Sequence, residues 1–251
     1  MTMTACGSTV NIGQERTRFF PRQLVAPADL TQDQIYFREK TRRHNRMLHG
    51  WGIVCGAGVT QGTANCEVVV APGYILGPYG DEIVIDSAIT VNLCTQTPDG
   101  TTVAPCADVS DPWCSQVSVS RQAGQMLYLA ICYSECQARP VRVANTTCGC
   151  DDTACEYSRI RDSYTIQVLT TLPTSYTNMT QQTPEQMLQQ ETLRSCANNL
   201  ACPPCPTEPW VILADITLNS DTSIQNIDIL THRRYVLSYA SLYYTCGKGT
   251  T

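Results

Sequence analysis

After Gly50 the apolar residues come in short β-branched runs that glycine and proline keep closing, and this punctuation leaves room for little besides an antiparallel, mainly β body. Trp51 to Val59, Cys66 to Val70, Glu82 to Ile85 and Ile89 to Leu93 are such runs, with Gly77-Pro78-Tyr79-Gly80 as a turn ahead of the third. Met126 to Tyr133 is a continuous apolar run suited to a central strand. Ser163 to Leu169 alternates well enough to pair beside it, and Trp210 to Leu218 is a last strong strand. Residues 94 to 125, with Pro98, Asp99, Gly100, Pro105 and Pro112, read as a long loop or a hairpin insertion. Ile224 to Tyr244 reads as strand pairs or a short terminal helix. The expected body is a β-sandwich or barrel-like structure with cysteine-rich loops. At 251 residues it has enough chain for one large β domain or two smaller ones.

Ahead of this body the pattern is different. Residues 1–27 are polar and broken by glycine and proline, with Phe19, Phe20 and Pro21 as the one apolar anchor, which suggests an extended arm that docks on something. Residues 28–50 form an arginine-rich helix, with Asp29 as N-cap and Gly50 as the stop. Leu30, Phe37, Thr41 and Leu48 fall on one face; Arg38, Arg42, Arg43 and Arg46 occupy the remainder. Such a face is either simply solvated or meets an acidic partner surface. Residues 51–251 make the β-rich body, with a cysteine-rich subregion at 132–206 and a short second helix over Thr183 to Leu193, capped by Thr183.

The charge pattern sharpens the partner reading. Only 16% of residues are charged, 22 acidic against 17 basic, and Lys40 and Lys248 are the only lysines. Arginine keeps a planar fork suited to interfacial pairing, whereas lysine mainly keeps surfaces wet, so this composition suits a subunit covered by neighbours. A net charge of −5 argues against nucleic acid as the main partner. No run approaches the roughly 18 apolar residues of a membrane span. Met1 to Gln14 lacks the charged leader and apolar stretch of a secretory signal. The expectation is a protein made in the cytoplasm that ends as part of a particle, in an extracellular setting.

The 15 cysteines need a cause, because a chain of this length does not need staples to fold. Cys148-Gly149-Cys150 and Cys202-Pro203-Pro204-Cys205 are two close pairs that could give zinc four soft ligands at a structural site, with Cys136 and Cys155 as alternates. Disulfides are the competing reading, pairing for example Cys136 with Cys148 and Cys196 with Cys202; free buried thiols are the remainder. A redox role for Cys202 and Cys205 is disfavoured, since the pair precedes a strand instead of opening a helix.

Nothing in the chain points to catalysis. His44, His49 and His232 are the only histidines, and none is spaced with a cysteine or carboxylate as a nucleophile pair or metal motif requires. Asp81, Glu82 and Asp86 could hold a hard cation but are more simply read as solvated. The acceptor patterns at Asn145 and Asn178 read as accidental without a secretory signal.

The run from Leu30-Thr-Gln-Asp-Gln through Arg38-Glu-Lys-Thr-Arg-Arg-His-Asn-Arg-Met-Leu-His-Gly-Trp-Gly-Ile-Val-Cys-Gly resembles the opening of a family of cysteine-rich bacterial proteins associated with loci for phage-tail-like contractile injection systems. Val70-Ala-Pro-Gly-Tyr with Tyr79-Gly-Asp-Glu-Ile-Val-Ile, Cys155-Glu-Tyr-Ser-Arg-Ile-Arg-Asp-Ser-Tyr, and Cys202-Pro-Pro-Cys-Pro agree with it, so the resemblance spans residues 19–218. The Pro-Gly-Tyr hairpin is also similar to sequences in tailed-phage baseplate and fibre-attachment proteins. The resemblance implies a particle component and supplies no catalytic residue. Cys94, Cys106 and Cys114 depart from the family pattern and suggest a local loop staple.

The leading expectation is a structural subunit that docks on neighbouring subunits and forms an oligomer. Arg38, Arg42, Arg43 and Arg46 would lie at the interface, with Trp51 at the helix-to-sheet junction. The alternative is a β-rich binding module for a cell-surface glycan or protein, with Trp113, Tyr133 and Tyr157 as contacts.

Overall fold

The computed structural model describes residues 15–105, 116–142, 155–177 and 205–236. Helix α1 runs Pro27–His44 and continues as a π-helical turn, Asn45–His49, that stops at Gly50 with φ 75°. The cap differs from the expected one. Ala26 is the N-cap, and Asp29 sits one turn inside, where its carboxylate accepts the free Ala26 N–H at 2.8 Å. An acid in the first turn thus neutralises an orphan donor at the positive end of the helix.

The body follows as β1 Gly52–Gly56, β2 Val59–Gln61, β3 Glu67–Val70, β4 Gly73–Leu76, β5 Glu82–Ile85 and β6 Ile89–Asn92. Short strands β7 Thr95–Gln96, β8 Thr101–Val103 and β9 Val117–Ser118 come next, then β10 Met126–Arg142, β11 Cys155–Leu169, the single turn α2 Thr174–Thr177, β12 Val211–Leu218 and β13 Ile224–Asp228. The protein is mainly β, and among the described residues every sheet is antiparallel. A five-stranded sheet in the order β13-β12-β10-β11-β8 packs over two three-stranded sheets, β1-β4-β5 and β2-β3-β6. Ile53, Val68, Ile75 and Ile83 from the small sheets meet Leu129, Ile131, Ile166 and Leu213 from the large one in a single core.

Two strands explain the layering. In β12 every residue but Thr217 is buried, so it is covered on both faces. One cover is α2, whose Tyr176 hydroxyl accepts the Ile212 N–H at 2.9 Å while its ring meets Trp51 edge-on. Along β10 the apolar run fills the core only as far as Tyr133. Beyond it β10 and β11 continue as a two-stranded ribbon, paired from Ser134↔Ser163 out to Arg142↔Cys155, with Val141, Tyr157 and Ile160 exposed.

The chain after β13 locks the sheets together. Ile53 donates to the Arg234 carbonyl at 2.8 Å and Val236 donates to the Ile53 carbonyl at 2.9 Å, so residues 234–236 line the free edge of β1. Arg233, itself buried, donates to the carbonyls of Gly56, Ala57 and Leu213 at 2.6, 2.9 and 3.2 Å. The Gly56 and Ala57 carbonyls lie where β1 breaks from β2 and both residues take positive φ.

Cys66 and Cys94 form a disulfide between the start of β3 and the end of β6, Cα atoms 5.9 Å apart. Cys94 is therefore bonded to a residue of the paired strand and not to Cys106 or Cys114, which lie outside the described residues together with the helix expected over 183–193.

Candidate docking site

The arm folds back along the first turns of α1. Thr17 Oγ1 donates to the Asp29 carbonyl at 2.8 Å, and Gln32 Nε2 donates to the Glu15 carbonyl at 2.8 Å. A turn at Phe20–Gln23, with Gln23 N–H on the Phe20 carbonyl at 3.2 Å, closes this hairpin. Arm and helix are thus ordered by their own bonds, yet α1 contains no buried residue at all. Phe19, Phe20, Val25, Leu30 and Phe37 are each about half exposed or more, and Leu24 is 93% exposed. Large apolar side chains left in water in this number point to an interaction surface.

Where α1 meets the body, arginine does the attaching. Arg42 Nε contacts Asp81 Oδ1 at 2.5 Å and Nη1 contacts Glu39 at 2.8 Å, while its guanidinium lies 5.8 Å from the Tyr133 ring centroid. Asp81 is buried, and burial pushes its carboxyl up from the usual value while Arg42 opposes the shift. Arg38 pairs with Glu135 at 2.7 Å. Asn45, the one buried residue of the π-helical turn, donates to the Gly80 carbonyl at 3.0 Å. Gly80 has φ 90°, and a Cβ there would collide with the Arg42 carbonyl, so the Gly77–Gly80 turn brings Asp81 to the helix because a glycine ends it.

Between α1, β5 and the base of the ribbon these contacts leave a cleft of about 340 Å³, with Phe37, Thr41, Glu82 and Asp162 among its walls. Tyr133 donates its hydroxyl to Asp162 at 2.6 Å, and burial together with that bond holds the phenol well above its usual value.

The expected interface residues therefore divide. Arg42 is committed within the chain, and Arg38 is tied to Glu135 on an exposed flank. Arg43 is exposed, and Arg46 is partly covered with its Nε atom buried and unbonded. Trp51 is only 6% exposed, with the Arg234 guanidinium 4.2 Å from its ring centroid, so it is a core residue at the helix-to-sheet junction and not a contact surface. Asp81 meets a guanidinium where a hard cation was considered. Of the expected glycan contacts, Tyr133 is buried, Tyr157 is exposed on the ribbon, and Trp113 lies outside the described residues.

Among the expected zinc ligands, Cys136 and Cys205 are disulfide-bonded, the competing state at those positions, which leaves no thiolate for a metal. Cys148, Cys150 and Cys202 lie outside the described residues, and the side chain of Cys155 is likewise not described. Cys55 is a free exposed thiol; Cys132 is free and buried, and burial pushes it up to about 12.

One pair was not anticipated. His232 Nδ1 lies 2.6 Å from Asp215 Oδ2, and Asp215 is 3% exposed. The two are 17 residues apart on separate segments, so spacing alone gave no sign of them.

No family model matches this chain, and no curated protein matches it. Among solved structures it is similar to the crystal structure of TssK, at 9% identity and a TM-score of 0.39. The match covers 85% of this chain and 40% of that one, so the chain spans less than half of TssK's length. A likeness of that size carries no argument about function, which rests on the chain's own surfaces. Among the described residues no helix is long and apolar enough to cross a membrane.

Proposed function

We propose that the chain is a non-catalytic structural subunit of a phage-tail-like or related extracellular particle, docking on neighbouring subunits through its arm and helix. The observation that carries this is the 18-residue helix without a buried residue, fronted by an arm with two exposed phenylalanines. In folded proteins most helical stability comes from packing an apolar face against a neighbour. Fully burying a large apolar side chain is worth about 1.5–3 kcal/mol, so covering what six such residues still expose is worth on the order of 5–10 kcal/mol. Association costs about 4–15 kcal/mol, so this surface alone gives modest affinity and suits an assembly in which each subunit is held by several neighbours. The resemblance of the Leu30 to Gly56 run to proteins of contractile injection system loci supports the choice of particle.

The test is Phe19→Ser with Phe20→Ser and Leu30→Ser, expressed in the native source. The variant is expected to melt like the wild type yet be missing from purified particles. Incorporation at the wild-type level would overturn the reading.

A glycan-binding module is the second reading, favoured by the exposed Tyr157 on the projecting ribbon. Retention of a ligand on a glycan array by the wild-type chain, lost in Tyr157→Ala, would favour it over assembly.

A further inference from the structure

The chain presents two surfaces of opposite sign that find no match among the described residues of one copy, and we infer that they meet between copies. The Arg18–Arg22 segment of one chain seats in the cleft between helix α1 and the body of a second. The inference rests on the arm being a docking element, as proposed above, and adds what it docks on.

On the arm, Arg18-Phe19-Phe20-Pro21-Arg22 alternates charge with exposed aromatic surface, and neither arginine forms a salt bridge among the described residues. In the cleft the opposite holds. Arg42 matches Asp81 and Glu39, and Arg38 matches Glu135, which accounts for three of the carboxylates around it. Asp162 and Glu82 remain, exposed and without a cationic partner among the described residues, and Asp162 accepts the Tyr133 hydroxyl. A carboxylate already oriented by a tyrosine still has acceptor sites free for a guanidinium fork. Phe37, 54% exposed at the mouth, offers an edge or face to an incoming phenylalanine. The cleft volume is of the size that holds a small ligand, and hence an arginine side chain with its aromatic neighbour.

The same segment cannot reach its own cleft as the arm stands. The bonds from Thr17 to Asp29 and from Gln32 to Glu15 pin it to the first turns of α1. Thr41, in the cleft, lies twelve residues further along the helix, about 18 Å at 1.5 Å per residue. A second copy has no such restriction. Arm into cleft is a heterologous contact, which repeats into a ring or a filament, the geometry a particle subunit needs.

The experiment is sedimentation and native mass spectrometry on the full, oxidised chain and two variants. Arg18→Glu with Arg22→Glu reverses the arm. Asp162→Asn with Glu82→Gln removes the unpaired cleft charge while keeping an acceptor for Tyr133, and both variants are checked for a wild-type melting profile. The wild type is expected to self-associate, and each variant alone to do so at least about tenfold more weakly. Mixed together they are expected to form a one-to-one complex, because one copy keeps a basic arm and the other an acidic cleft. A wild-type chain that stays monomeric would overturn the inference while leaving docking on a different subunit intact. Self-association unaffected by the cleft variant would overturn it as well. Should the phenylalanine variant above also enter particles normally, both readings fall together.

Discussion

Replacing Arg42 by alanine tests the fold where helix and body join. The substitution removes contacts to Asp81 and Glu39 and leaves Asp81, 8% exposed, buried beneath the helix without its counter-charge. Breaking a buried pair from one side costs about 3–5 kcal/mol, chiefly through the stranded charge. The adjoining cleft admits water, so the low end applies, about 3 kcal/mol. In a chain of this size that corresponds to a fall in Tm of about 6–12 °C. Removing both partners relieves the stranded charge, so Arg42→Ala with Asp81→Ala should cost less than the sum of the two singles, with a coupling of about 1–3 kcal/mol. Exposed Arg43→Ala serves as the control and should stay within about 0.5 kcal/mol. Chemical denaturation of the oxidised wild type and the four variants gives the free energies, and thermal melts give the Tm values. An Arg42→Ala protein as stable as the control, or a double variant showing simple additivity, would mean that Arg42 does not hold the helix to the body.

Three further outcomes follow from the same contacts. His232→Ala leaves the buried Asp215 without its described partner and should lower stability by about 1–3 kcal/mol by chemical denaturation. Replacing Cys66 and Cys94 by alanine opens a loop of 28-residue separation and should cost about 3.5 kcal/mol on the chain-entropy model, read as the change in denaturation midpoint. Thr231, through its hydroxyl and N–H, and the Leu230 N–H hold the Asp228 carboxyl below its usual value. The stability this supplies is complete above about pH 4 and fades as pH falls through the folded-state value, so Asp228→Asn should flatten the acid limb of a stability profile and leave its neutral region parallel to the wild type.

The residues explain which features could be read from the chain. Strand β5 matches its expected bounds because Ile83 and Ile85 alternate with Glu82 and Val84 across one buried face. Strand β4 was missed: Pro72 and Gly73 ahead of it and Gly77 behind it look like turn chemistry around an apolar pair. The outer half of the ribbon was missed for a different reason. Gln137, Arg139 and Pro140 face water and Glu135 turns to Arg38, so no alternation of apolar and polar residues marks them as strand. The helix itself was legible, but which of its arginines turn inward was not. Arg42 meets Asp81 only because the Gly77–Gly80 turn folds against the helix from 39 residues away. The partner of Cys94 was equally hidden, since cysteine spacing does not fix connectivity.

The central claim is that the arm and helix are covered by neighbouring subunits, and amide hydrogen exchange on residues 15–49 tests it most directly. The isolated chain is compared with the same chain inside particles from the native source. Protection rising over residues 15–49 on assembly, with the Met126–Tyr133 core strand unchanged, is the predicted result. Equal exchange of that segment in the free and assembled states would contradict the account.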